Sequence, residues 1–202
     1  MRVRGVILAA GMGTRMGQTK QLLPLHGKPL VQHVLDAARS SVLTHLTLIL
    51  GHAHEIILPA LDTTGVAVLI NPQYASGQST SVHLGLAHGP DADGVMFLLG
   101  DQPCVTPLLI DTLVHVFCTE QPWAVVPMYQ QQPGNPVILG RALMREASCV
   151  DGDTGARPLL QRHAAHVRHF AVENPLLLRD VDTLEDYMEL VAAVPPVDCS
   201  GC

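Results

Sequence analysis

Leu8-Ala9-Ala10-Gly11-Met12-Gly13-Thr14-Arg15-Met16-Gly17-Gln18-Thr19-Lys20 decides how this chain is read. It closes an aliphatic run that begins at Val3, then breaks into glycines interleaved with two cations, Arg15 and Lys20. A short aliphatic run ended by glycine reads as a buried strand entering a sharp turn. Glycine lets the backbone bend and brings its N–H groups close to an anion. Two cations on the same loop make it a cradle for a polyphosphate, placed beyond the carboxyl end of a strand where open α/β sheets bind their ligands. Two familiar phosphate loops fail on spacing. The dinucleotide pattern G-x-G-x-x-G would need glycine where Met16 stands, and no glycine here has the partner that G-x-x-x-x-G-K-[ST] requires.

Outward from that loop, short aliphatic runs recur at Leu46–Leu50, Val66–Ile70 and Val95–Leu99, each ending in Gly, Asn or Asp. Helical periodicity lies between them. Leu30, Val31, Val34, Leu35 and Ala38 share one face, Val82, Leu84, Leu86 and Ala87 belong to a second stretch, and Leu108 to Phe117 form a third. Thr106-Pro107 starts the third with a cap and a proline at the first helical position. Alternating strands and helices predict an α/β layered fold on a mainly parallel sheet. In the second half, Ala124–Met128, Val137–Leu139 and Val167–Val172 read as strands. A last helix is expected from about Leu184 to Val194, opened by a Thr183/Asp186 capping box.

Composition agrees. The 202 residues are 48% hydrophobic but only 3% aromatic, so aliphatic side chains must fill the core, as in parallel strands buried on both faces. The net charge of −6 disfavours a long nucleic-acid footprint, which needs a basic stripe. No apolar run reaches the ~18 residues of a membrane span, and five cysteines in no regular framework suit a reducing cytoplasm. One domain over residues 1–195 with a tail at 196–202 is expected.

Val95–Leu99 leads into Gly100-Asp101-Gln102-Pro103, which sets a carboxylate just past a strand end. Mg²⁺ takes oxygen ligands, often one or two carboxylates together with substrate phosphates. On residue types alone Asp101 could equally serve a turn. In Arg179-Asp180-Val181-Asp182-Thr183-Leu184-Glu185-Asp186, acids and threonine could simply cap the following helix. Asp180 and Asp182 alternate, so in an extended stretch they point the same way. Ser79 or Ser81 could likewise cap a helix or bond a base edge.

The pattern L-A-A-G-x-[GS]-x-R-M-G-x-x-K, followed by Leu22-Leu23-Pro24 and Gly27-Lys28-Pro29-Leu30, resembles the nucleotidyltransferases of the molybdenum cofactor type. Within them it is most similar to the molybdenum cofactor cytidylyltransferases. The resemblance runs from Val6 to about Val191 and implies a Rossmann-like domain of the nucleotide-diphospho-sugar transferase type, with helices on both faces of the sheet. It implies transfer of CMP from CTP to the terminal phosphate of molybdopterin or its metal-loaded form, with Mg²⁺ as cofactor, pyrophosphate as leaving group and a molybdoenzyme as recipient of the product. Leu8, Ala9, Ala10, Gly11, Gly13, Arg15 and Lys20 would hold the nucleotide, with Arg15, Lys20 and Asp101 catalytic. Asp101 and Asp182 would bind the metal, Asp182 rather than Asp180 by its place in a D-[VI]-D-T-P-E-D-like ending where Leu184 replaces proline. Ser81, in S-[VL]-x-x-G-L, would meet the base. Related guanylyltransferases tend to carry L-A-G-G, so Ala10 leaves less room and points to a pyrimidine. Asn135, Asp153 and Arg157 would meet the acceptor. A sugar or polyol phosphate acceptor, or a non-catalytic carrier of the finished cofactor, are the alternatives.

Eleven histidines invite metal readings, yet His163, His166 and His169 cross an expected helix-to-strand boundary that scatters their directions. Cys199-Ser200-Gly201-Cys202 is a lone pair without the second pair that a structural zinc site needs.

Overall fold

The computed structural model describes residues 1–12, 19–147 and 156–194. In chain order its strands and helices are β1 (Val3–Ala9), β2 (Pro24–Leu25), β3 (Lys28–Pro29), α1 (Leu30–Arg39), β4 (Leu46–Leu50), α2 (His54–Ile57), β5 (Val66–Ile70), α3 (Gln78–Ala87) and β6 (Gly94–Leu99). Then follow α4 (Pro107–Glu120), β7 (Ala124–Tyr129), β8 (Gln132–Pro133), β9 (Val137–Gly140), α5 (Arg141–Ala147), α6 (Arg157–Arg162), β10 (Val167–Ala171) and α7 (Leu184–Ala193).

The main sheet has eight strands in the order β10-β7-β9-β6-β1-β4-β5, with β8 attached to β7 and a separate β2–β3 hairpin. β1 lies parallel between β4 and β6, β5 extends β4, and β10 runs parallel to β7. β9 is antiparallel to both of its neighbours, β6 and β7. The expected mainly parallel sheet therefore stands, with β9 reversed between β6 and β7 and the short β8 antiparallel to β7.

Every residue of β1 is buried, because helices cover both faces of the sheet. Ile7 and Ala9 face a core shared with Val31, Val34 and Leu35 of α1 and Ile110, Leu113 and Phe117 of α4. Val6, Leu8 and Ala10 face the opposite core, with Val82 of α3, Leu143 of α5 and Leu159 of α6. Burying each such aliphatic side chain contributes roughly 1.5–3 kcal/mol, which is why an aliphatic composition suffices without aromatic bulk. Gly85 lets α3 press on β1: a Cβ there would lie 2.7 Å from Val6 Cγ1.

The charge inside β1 has a structural use. Arg4 is 2% exposed and donates to the carbonyls of Gly85, Leu86 and His88 at 2.7, 3.0 and 2.6 Å. The final carbonyls of a helix have no partner within it, and here a guanidinium from the adjacent strand satisfies them. The helix caps read from the sequence form as expected. Thr106 accepts from Leu109 N–H at the start of α4, and Thr183 and Asp186 make the capping box of α7.

Candidate active site

Strand order reverses between β1 and β6, since the next strands in sequence run outward in opposite directions from that point. A crevice opens beyond the carboxyl ends of strands at such a switch point. A cleft of about 530 Å³ lies there, bordered by Ala9, Ala10 and Gly11 after β1 and by Gly100 and Asp101 after β6. Gly100 permits the approach of the two strand ends, because a Cβ there would lie 2.8 Å from that of Ala9.

Lys20 projects into this cleft from a short 3-10 turn, Lys20–Leu22. Its Nζ donates to Asp101 Oδ2 at 2.6 Å and to Asp182 Oδ1 at 2.9 Å. Residues separated by 81 and 162 positions thus meet at one ammonium. Burial alone would lower the Lys20 pKa, but the charges and hydrogen bonds of Asp101 and Asp182 outweigh it and raise the net value.

The backbone explains how Asp182 arrives. Val181 N–H donates to Asp101 C=O at 3.0 Å, which pins the 180–182 segment to the end of β6. Gln102 Nε2 adds a bond to Leu178 C=O at 2.9 Å. The Val181 side chain is fully buried with Leu23, Leu25, Leu30 and Leu190. With Val181 turned inward, the acids on either side of it border the cleft, as alternation predicts. Of the two, Asp182 holds Lys20. Asp180 has its pKa raised, first by burial and then by the neighbouring charges of Asp101 and Asp182.

The donor set suits a hard divalent cation. Asp101 Oδ1 is buried with no hydrogen-bond partner among the described residues, an acceptor whose desolvation none of them offsets. A second carboxylate, Asp182, meets the same Lys20 ammonium that Asp101 Oδ2 holds. Among the described residues no group of three or more His, Cys, Asp and Glu side chains is arranged as a self-sufficient metal cage. Mg²⁺ does not require one, since it keeps waters and shares its coordination with substrate phosphates.

Leu8, Ala9, Ala10, Gly11, Lys20, Ser81, Asp101 and Asp182 therefore border one cleft. Gly13, Arg15 and Asp153 lie outside the described residues, as does the Cys199/Cys202 tail. Asn135 and Arg157 do not border the cleft. Arg157 is an exposed residue at the start of α6. Asn135 is half-buried just before β9, and pairing of Val137 with Phe97 sets it level with the carboxyl end of β6, on the same sheet edge as Asp101. The adjacent Gly134 borders a second hollow of about 330 Å³ with Tyr129 and Arg179.

Sequence reasoning missed Gln21 and Asn71. Gln21 is 3% exposed and its Nε2 donates to Gly11 C=O at 3.0 Å, bracing the root of the glycine loop. Asn71 follows β5 directly and holds two hydroxyls at the start of α3. Its signal was available, since a polar residue just past a strand end is the feature that singles out Asp101. Histidines form no metal cluster among the described residues: His166 stacks on Trp123 at 4.1 Å, and His163 bonds Glu146. No described helix is long and apolar enough to cross a membrane.

The mostly parallel sheet between helices, with a switch-point cleft bordered by Gly11, Lys20 and paired carboxylates, is a fold of the nucleotide-diphospho-sugar transferase type. The chain belongs to the MobA-like NTP transferase domain family, whose model matches residues 5–167. It is 34% identical over 140 residues to the bifunctional protein GlmU of Desulfitobacterium hafniense, a match covering 68% of this chain and 30% of that protein. The chain thus spans under a third of that relative's length. Rv0371c of Mycobacterium tuberculosis H37Rv is 32% identical in its crystal structure, with TM-score 0.84 over 95% of this chain and 98% of that one. Its manganese complex superposes with TM-score 0.83 at 31% identity, covering 96% and 100% of the two chains.

Proposed function

We propose that this protein transfers CMP from CTP to the terminal phosphate of a molybdopterin-type acceptor and releases pyrophosphate. The observation that carries nucleotidyl transfer is the Lys20 ammonium held between Asp101 and Asp182 beside the glycine loop. An acceptor phosphate oxygen attacks the α-phosphorus, a new P–O bond forms, and the bond to the β-phosphate breaks. The protein orients the reactants and stabilises charge rather than forming a covalent bond itself. Loop N–H groups from Gly11 onward hold the terminal phosphates. Lys20 turns from the carboxylates toward the phosphate oxygens, where Arg15 adds a second positive charge. Asp101 and Asp182 would hold a divalent cation such as Mg²⁺, which supplies charge neutralisation to the triphosphate.

CTP is favoured by Ala10, which is buried at the cleft wall where a methyl group narrows the space for a purine. The acceptor rests on the sequence motifs, with Asn135, Asp153 and Arg157 assigned to it and a molybdoenzyme as downstream partner. Pyrophosphate release measured for CTP and GTP, each with molybdopterin and with sugar or polyol phosphates, tests this reading. CTP with molybdopterin should react, and kcat/KM should favour CTP over GTP by at least about tenfold, or ~1.4 kcal/mol. Equal use of GTP removes the cytidylyl assignment. Turnover with a sugar or polyol phosphate alone changes the acceptor. Absence of pyrophosphate, with tight binding of finished cofactor, makes the protein a carrier.

A further inference from the structure

Asn71 occupies a position that the transfer chemistry does not explain. It is 3% exposed, and its Oδ1 accepts from Gln73 N–H at 2.9 Å. A backbone N–H can only donate, so this bond fixes which way the amide faces. Nδ2 therefore points to Thr80 Oγ1 at 2.8 Å and Ser81 Oγ at 2.9 Å. A primary amide carries two N–H bonds, and each is given to one hydroxyl, so both hydroxyls accept. Thr80 passes its own proton to the carbonyl of Gly77 at 2.8 Å or Gln73 at 3.1 Å. Ser81 is 3% exposed, borders the cleft, and donates its proton to no acceptor among the described residues. A tie between β5 and α3 would need the bonds to Gln73 and Thr80. It would not need a second N–H spent on a buried serine at the cleft wall.

We propose that Asn71 is a specificity-determining positioning residue. By supplying a donor to Ser81 Oγ, it commits the Ser81 O–H to donate into the cleft. A committed donor selects a base edge that presents an acceptor there, a carbonyl oxygen or an unprotonated ring nitrogen as on cytosine, and rejects one that presents N–H. This inference rests on the nucleotide-binding reading of the cleft.

Asn71→Asp tests it with almost no change in shape. A carboxylate keeps the bond from Gln73 N–H but only accepts, so the Ser81 proton turns toward it and leaves the cleft. Titration calorimetry with Mg²⁺ should show CTP binding weakened about tenfold or more, the scale of one lost hydrogen bond with its partner left unsatisfied. Inorganic tripolyphosphate, which has no base, should bind Asn71→Asp as it binds wild type. That arm also detects any general repulsion from the added charge. Ser81→Ala should reproduce the CTP loss, and the double variant should be no weaker than Ser81→Ala. Should Asn71→Asp fail to fold, Asn71→Ala takes its place, since it removes the donor to Ser81 Oγ without adding charge and carries the same expectation of weakened CTP binding with tripolyphosphate binding unchanged. Equal losses for CTP and tripolyphosphate, additive losses in the double variant, or unchanged CTP binding by Ser81→Ala would each overturn the assignment while nucleotidyl transfer stands. A wild-type chain that binds no CTP overturns both.

Discussion

Replacing Lys20 by methionine removes the ammonium and keeps most of the apolar stem. Lys20 is 12% exposed, Asp101 19% and Asp182 45%, so this cluster is neither a surface pair nor a buried one. Breaking a buried pair costs roughly 3–5 kcal/mol and losing an exposed one about 0–1. Solvent screening of the Asp182 contact places the expected loss at about 1–3 kcal/mol, which for a domain of this size lowers Tm by roughly 2–12 °C. The variant leaves Asp101 and Asp182 without their shared cation, so Mg²⁺ should raise its Tm more than that of wild type. In steady-state kinetics kcat should fall about 10²-fold with KM little changed, the pattern of a contact realised where charge develops. Lys20→Arg should rescue poorly, because a planar fork does not replace a compact ammonium. A variant with lowered Tm but wild-type kcat would make Lys20 a structural tie only. A raised KM with kcat spared would place its contact in the ground state. An unchanged Tm would refute the energetic reasoning.

Three further outcomes are expected. Asp101→Ala should keep the fold, since the backbone carbonyl that accepts from Val181 remains, and should abolish Mg²⁺-dependent turnover; near-normal turnover would exclude Asp101 as a ligand. Gly85→Ala drives a methyl group to 2.7 Å from Val6 and should cost about 1–3 kcal/mol by chemical denaturation, against little change for Gly11→Ala, where the built Cβ meets nothing within 4 Å. Asp36 shows a lowered pKa: burial opposes ionisation, but hydrogen bonds from Lys28 and Gln32 and the charges of Lys28 and Arg39 outweigh it. Its stabilisation is present above the unfolded carboxylate pKa of ~3.9 and disappears as pH falls through the depressed native value. Asp36→Asn should therefore be less stable than wild type at neutral pH by under about 1 kcal/mol, and the gap should close in acid; a gap that persists there would assign the effect to packing.

Much of this protein follows from local chemistry. Aliphatic runs ended by Gly, Asn or Asp marked four strands of the switch-point half, because strands packed under helices are filled mainly by aliphatic side chains. Thr106-Pro107 and the Thr183/Asp186 box placed two helix starts, because capping depends on residues three apart in the chain. The spacing of Lys20 from Gly11 and the carboxylate past β6 pointed to the cleft for the same reason: each lies beside a strand end that the sequence itself announces. Other features needed the chain folded. Val137–Leu139 read as a strand, yet nothing in those residues says that it enters the sheet reversed between β6 and β7, since insertion depends on which edges are open. That Asp180 and Asp182 meet the same cleft as Asp101 needed Val181 buried and its N–H bonded to Asp101, a contact across 80 residues. Asn71 offered only its place just past a strand end. Its meaning lies in which of its two amide ends meets Gln73, and hydrogen-bond direction is decided only when donors and acceptors distant in sequence are brought together.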